Sequence, residues 1–351
     1  MNHKLPRSRA SEMGAGRLVA WLHSLTPLLI AATTSVALAQ PDPSGIDFVA
    51  VGSPNNPAYH GPDVNNAVTG RGAVPWQYKI GQTEVTTGQW MEFYNTFYGR
   101  APGLNTPASW GAVATGNPNV PFRLSTQPSA SLWPVSGVTW RTSAMFCNWL
   151  HNDKRTDIGA IQNGAYDIST FGNVGNVFTD QRQHNPDARY WIPTLDEWLK
   201  AAYYDPNYGG QNVGGWWWKS VNGTNTDLVY GPPGQGQANT GFMLPNGGES
   251  QIPLGAYPGT RSPWGMLDAA GATREFTESV FQPDDVPYRL VAGSHWYSWF
   301  GGDEIYGLGG TFPSTVDIDL GFRVAAAVPS SGTVGLVMVC FLRVGLQRNR
   351  K

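Results

Sequence analysis

A chain of 351 residues in which 41% are hydrophobic and only 14% charged, with 43 Gly, 27 Pro and 15 Trp, is neither a coiled coil nor a disordered polymer. Its formal net charge of -2 conceals basic ends: residues 1–39 hold four Lys/Arg and one acid, residues 328–351 hold four and none, and the body between carries 15 basic against 24 acidic residues. An acidic body argues against nucleic acid as a partner and suits cation binding or a solvated envelope protein.

The chain opens with Lys4, Arg7, Arg9 and Arg17 ahead of an apolar stretch from Leu18 to Leu38, closed by the small residues of Ala37-Leu38-Ala39. This pattern predicts a signal peptide over 1–39 and an exported body over 40–327, in contact with a membrane only through its terminal segments. Pro27 and the small-residue ending favour cleavage over retention as an anchor. Only Cys147 and Cys340 occur, so no disulfide framework holds the exported body together.

Asp47 to Gly52 reads as a first strand and Tyr78 to Thr86 as a second. Thr86 or Thr87 then caps a helix whose Trp90, Phe93, Tyr94 and Phe97 fall on one face. Residues 101–132, rich in Pro, Asn, Ser and Gly, read as ordered loop. A second helix runs through Ala144, Cys147 and Leu150, with Cys147 as a small core hydrophobe. Thr194-Leu195-Asp196-Glu197 is a capping box that starts a third helix, with Leu195, Trp198, Leu199 and Ala202 at helical spacing. Residues 205–263, including Trp216-Trp217-Trp218, read as long irregular structure, before short strands at 289–294 and 320–326.

Asp268 and Glu275 stand seven residues apart around Gly271, an oxygen-rich pattern that suits a hard cation such as calcium. The acidic pairs Asp303/Glu304 and Asp317/Asp319 read as solvated loops, and His60, His151 and His184 are too scattered for a metal cluster.

Gly265 to Thr277 resembles the signature of the sulfatase-modifying-factor family, the domain of formylglycine-generating enzymes. Four further segments resemble that family in the same order: Ile80 to Thr86; Pro134 to Trp140 with Cys147-Asn148-Trp149-Leu150; Tyr190 to Trp198; and Leu320 to Val324. The resemblance implies an α+β fold, the loop-rich variant of the C-type lectin fold with little regular secondary structure. It implies calcium bound by the side chains of Asp268 and Glu275 and the carbonyls of Gly271 and Thr273, with Ala272 and Arg274 departing from the family pattern. A second calcium site would begin at Asn239 and the Thr240 carbonyl, but its Asp has no counterpart in Pro245-Asn246-Gly247-Gly248-Glu249. The family's oxidases hold copper(I) on two thiolates, and here Tyr297 and approximately Gly302 stand at those positions, so copper is not expected. Residues 328–351, with an apolar run from Val334 to Leu342 and a basic end, resemble a C-terminal sorting signal of the PEP-CTERM type.

These readings lead to two expectations. One is a non-catalytic binding or envelope-structural protein, whose His295, Trp296 and Trp299 form a ligand surface for a glycan, a peptide or an envelope protein. The alternative is an oxidase of the same family with altered metal-dependent chemistry that uses His295 and nearby carboxylates.

Overall fold

The computed structural model describes residues 41–63, 66–208, 215–240, 252–282, 286–298 and 301–328. The expected leader, nearly all of the expected tail with Cys340, the segment 245–249 and Trp299 lie outside the described residues.

The architecture is a loop-rich α+β fold with three α-helices and small sheets among the described residues. Strand β1 (Phe48–Val51) pairs antiparallel with β2 (Tyr78–Gly81), whose chain then turns into α1 (Thr87–Phe97). Thr86 caps α1: its hydroxyl accepts from the Gln89 amide, and the Gln89 side chain accepts from the Thr86 amide. The spacing seen in the sequence puts Trp90, Phe93, Tyr94 and Phe97 inward, all buried. Trp90 stacks on Phe146 of α2 (Trp140–His151) with 5.5 Å between ring centroids, and Phe93 meets Trp149 at 5.6 Å. Each such ring removed from water contributes roughly 1.5–3 kcal/mol, and Cys147 lies fully buried among them.

The segment expected as loop at 101–132 folds further, into the hairpin β3 (Ala112–Asn117) and β4 (Val120–Leu124). Asn95 of α1 grips it through Phe122: the Asn95 amide group donates to the Phe122 carbonyl and its carbonyl accepts from the Phe122 amide, both at 2.9 Å. Composition hid the hairpin because its strands are largely exposed, and its one buried ring packs onto a helix rather than onto another strand.

Past the two-residue strands β5 (Asn173–Val174), β6 (Val177–Phe178) and β7 (Tyr190–Trp191), the predicted capping box starts α3 (Leu195–Tyr203). Strands β8 (Tyr204–Asp205) and β9 (Trp216–Trp217) pair beyond it. The longest strand, β10 (Arg274–Phe281), is followed by β11 (Tyr288–Ala292), β12 (Leu308–Thr311), β13 (Leu320–Gly321) and β14 (Ala325–Ala327). Two four-stranded sheets result, ordered β1-β2-β14-β7 and β12-β11-β10-β13. In the second, β10 runs antiparallel to β11 and parallel to β13, with Glu275 opposite both Ala292 and Gly321. Polar residues of β10, namely Glu275, Thr277 and Glu278, are buried, so this strand positions charge inside the molecule.

Candidate functional site

A buried charge centre lies where the two sheets and α3 converge. Glu84 follows β2, Asp268 precedes β10, Glu275 belongs to β10, and Arg323 lies between β13 and β14. The Arg323 fork meets both oxygens of Glu275 at 2.5 Å, and Trp198 of α3 donates its indole N–H to Glu275 Oε2 at 2.9 Å. The rest of the guanidinium donates to the carbonyls of Gly81, Gln82 and Leu267, a set of oxygens much like a metal ion's shell. Glu84 Oε1 accepts from the amide and hydroxyl of Thr273, each at 2.9 Å, whereas Glu84 Oε2 is buried with no hydrogen-bond partner. Asp268 Oδ2 accepts from the Gly255 amide at 2.6 Å.

One guanidinium thus stands among three buried carboxylates. Burial raises Glu84 well above the usual carboxylate range, and the charge of Glu275 adds to it. Burial likewise lifts Asp268 to about 6. Desolvation works against the charge of Arg323, but Glu275, Glu84 and Asp268 together outweigh it and hold the guanidinium more firmly protonated.

The two segments expected to bind calcium meet at this centre. Asn239 Oδ1 accepts from the Ala272 amide at 2.7 Å, and the Thr240 hydroxyl lies 3.1 Å from that of Ser294, which in turn accepts from the Gly271 amide. Gly271 has φ +85°, and a Cβ there would stand 2.2 Å from Asn239 Oδ1, so only glycine lets this loop close. Hard oxygens, an orphaned Glu84 oxygen and two carboxyl groups whose charge burial disfavours without a counter-ion fit a divalent hard cation in chemistry. Glu275 meanwhile shares its carboxylate with Arg323, and no three acidic, His or Cys side chains converge on one metal position among the described residues. A cation here would draw much of its shell from carbonyls and water. Sequence reasoning missed Glu84 and Arg323; both stood inside matched segments, but nothing local to either residue announced a charge cluster.

The loop after β11 carries the other expected site. His295 Nε2 lies 3.2 Å from Asp319, whose carboxylate pairs with Arg274 at 2.7 Å. Burial, reinforced by the Arg274 charge, holds the His295 pKa down at about 4, so the ring is neutral. Its Nδ1 accepts from the Tyr297 amide, which places the ring proton on Nε2, toward Asp319. Arg274 therefore turns to Asp319 rather than toward the calcium segment. Ser298 Oγ accepts from the His295 amide, Trp296 is half-buried with an unpartnered indole N–H, and Tyr297 is 46% exposed. Gly302 lies in the next turn, beside two acids that the sequence reading had placed in solvent. Asp303 and Glu304 are instead buried: Asp303 accepts from the Tyr230 hydroxyl, and Glu304 pairs with Lys219 at 2.9 Å. Asp319 is buried as well, and only Asp317 of that pair is exposed. This loop offers imidazole, carboxylate and phenol and, among the described residues, none of the soft sulfur that selects copper(I). The described cysteine, Cys147, sits in the core with its thiol pKa pushed well up by burial.

A family model described as the sulfatase-modifying factor enzyme 1-like domain matches residues 64–328. The solved structure of CarF is similar, with a TM-score of 0.51 at 18% identity over 81% of this chain and 99% of that one. Treponema denticola variable protein 1 gives a TM-score of 0.49 at 18% identity over 80% of this chain and 95% of its own. PvdO from Pseudomonas aeruginosa gives 0.43 at 15% identity, over 81% and 92% of the two chains. No curated protein matches the chain.

Proposed function

Because the chain belongs to the sulfatase-modifying factor enzyme 1-like domain family, we propose that it uses this scaffold as an exported, calcium-stabilised binding or envelope-structural domain and not as a thiol-dependent oxidase. The observation that carries this reading is the loop after β11. There the hydroxyls of Ser294 and Ser298 and the imidazole of His295 are engaged by other protein groups, while Trp296, half-buried, and Tyr297, 46% exposed, pack 5.4 Å apart as an aromatic pair at the surface. Aromatic faces over an ordered loop suit a glycan, a peptide or an envelope protein.

The test is an oxidase assay: the copper-loaded protein is incubated with a cysteine-containing sulfatase peptide, and aldehyde formation is read by mass spectrometry. No aldehyde is expected, and its formation would overturn the reading. Trp296→Ala should abolish ligand capture on this loop in protein that remains folded.

Calcium enters the proposal through charge balance. Asp268, the free oxygen of Glu84 and nearby carbonyls would hold the ion, which supplies the positive charge that one guanidinium lacks. Chelation should lower the melting temperature by several degrees, and Glu84→Gln should erase that shift. A melting curve indifferent to chelation would leave Arg323 as the sole counter-charge.

The second reading, an oxidase with altered metal-dependent chemistry, draws on the neutral His295 beside Asp319. Protein that carries no iron or copper as purified, and takes up none on reconstitution, excludes it.

A further inference from the structure

Away from the β11 loop, a cavity of about 610 Å³ opens between the segment at 58–62, the strand β9 and Tyr306. This volume lies in the usual range for small-ligand clefts. Its walls are aromatic: Tyr59, Trp216, Trp217 and Tyr306. Tyr59 and Trp217 pack edge to face at 5.9 Å, and Trp217 is fixed by donating its indole N–H to the Pro57 carbonyl at 3.1 Å. Gly72, at φ +84°, lies so close that a Cβ would stand 2.2 Å from the Trp217 ring, so the wall is pressed into place from behind. Trp216 lines the cavity, is 46% exposed, and packs against the Tyr208 ring at 5.6 Å.

The polar groups lining the cleft divide into two kinds. The one charged group, Lys219, is neutralised within the protein by Asp227 at 2.6 Å and Glu304 at 2.9 Å. The imidazole of His60, the indole N–H of Trp216, the amide N–H group of Asn225 and the hydroxyl of Tyr306 bond to no protein group among the described residues. Rigid ring faces, uncharged hydrogen-bonding tips and internally cancelled charge together define the ligand. An anionic or cationic ligand finds no counter-charge here, and an aliphatic one leaves the polar tips unpaired. A polyhydroxylated ring offers C–H faces to the aromatics and hydroxyls to the tips.

We propose that this cleft binds a neutral carbohydrate, stacked on Trp216 with its hydroxyls held by His60, Asn225 and Tyr306. The proposal deepens the binding reading above and rests on it, but places ligand in a second location, independent of Trp296.

The experiment titrates the full chain with maltohexaose, cellohexaose and N-acetylchitohexaose, read by calorimetry and tryptophan fluorescence. At least one should bind, with an affinity insensitive to salt. Trp216→Ala should weaken it about tenfold, the equivalent of one lost stacking contact, and Tyr306→Phe should weaken it severalfold with unchanged melting. Val113→Ala, on the exposed strand β3 and outside both aromatic surfaces, should leave it intact. Absence of binding by all three sugars overturns the proposal, as does binding that survives Trp216→Ala. Sugar binding lost in Trp296→Ala but kept in Trp216→Ala would overturn this cleft while sustaining the binding function. Aldehyde formation in the oxidase assay would instead strike at the binding function itself.

Discussion

Arg289 and Arg323 are both buried in or beside the same sheet, yet the fold accommodates their charges in different ways. Arg289 of β11 lies 3.5 Å from the centroid of the Trp140 ring and donates to the carbonyls of Glu278, Gln181 and Arg182, with no carboxylate in its hydrogen-bond set. Burial pulls its pKa down to about 10. Arg323 sits in a similar ring of carbonyls but adds the bidentate pair with Glu275, and its pKa rises. A guanidinium can thus be kept inside by dipoles and a π face, or by opposite charge; only the second arrangement leaves dangerous charges behind when it is removed.

That contrast can be broken in order of effect. Arg323→Met should destabilise the fold by roughly 3–5 kcal/mol, because it strands Glu275 beside Glu84 and Asp268; adding Glu275→Gln should recover part of the loss in denaturant melts. Equal damage from the single and double variants would refute the charge argument. Arg289→Met should cost less, roughly 1–3 kcal/mol, since it strands carbonyls and not carboxylates, and its effect should not depend on chelator. The smallest effect belongs to His184, whose Nδ1 lies 2.9 Å from Glu278 and whose ring stacks on Trp191. Burial depresses the His184 pKa, but the bond and charge of Glu278 outweigh it and leave it raised; Glu278 is raised too, because its own burial dominates. The imidazolium therefore stabilises the fold below the unfolded value near 6.5, and the gain fades as pH rises through the higher folded value. His184→Gln should accordingly melt below the parent at pH 6 by about 1 kcal/mol or less, with the gap closing by pH 8.5. A gap constant across pH would assign the loss to packing.

The helices were legible in the sequence because their signals are local. Thr86 and Thr194 announce their caps within four residues, and Trp90 to Phe97 announce a buried face by spacing. β10 was not legible as a strand: Glu275 read as a calcium ligand, whereas the structure places it in β10 with Thr277 and Glu278 and buries the three against Arg323, the Leu290 carbonyl and His184. The same limit applied to Asp303, Glu304 and Asp319, whose partners Tyr230, Lys219 and Arg274 lie on other segments. Periodicity detects apolar faces, and a polar residue buried by a distant partner leaves no periodic trace. The contact between the loop at Gly271-Ala272 and the segment at Asn239-Thr240 joins two stretches the sequence had singled out, but the charge balance beside it depends on Glu84 and Arg323, which it had not.

The position of β14 bears on how the chain comes to be folded at all. This strand, among the last of the domain, lies inside its sheet, with Ala325 facing Ile80 on one side and Trp191 on the other. Until it arrives, β1-β2 and β7 have no common neighbour, and Arg323 has not reached the carboxylates. Completing this sheet therefore waits for the end of the domain, and its loop-closure entropy is met late. The sheet β1-β2-β14-β7 is thus a structure that only the whole domain can complete.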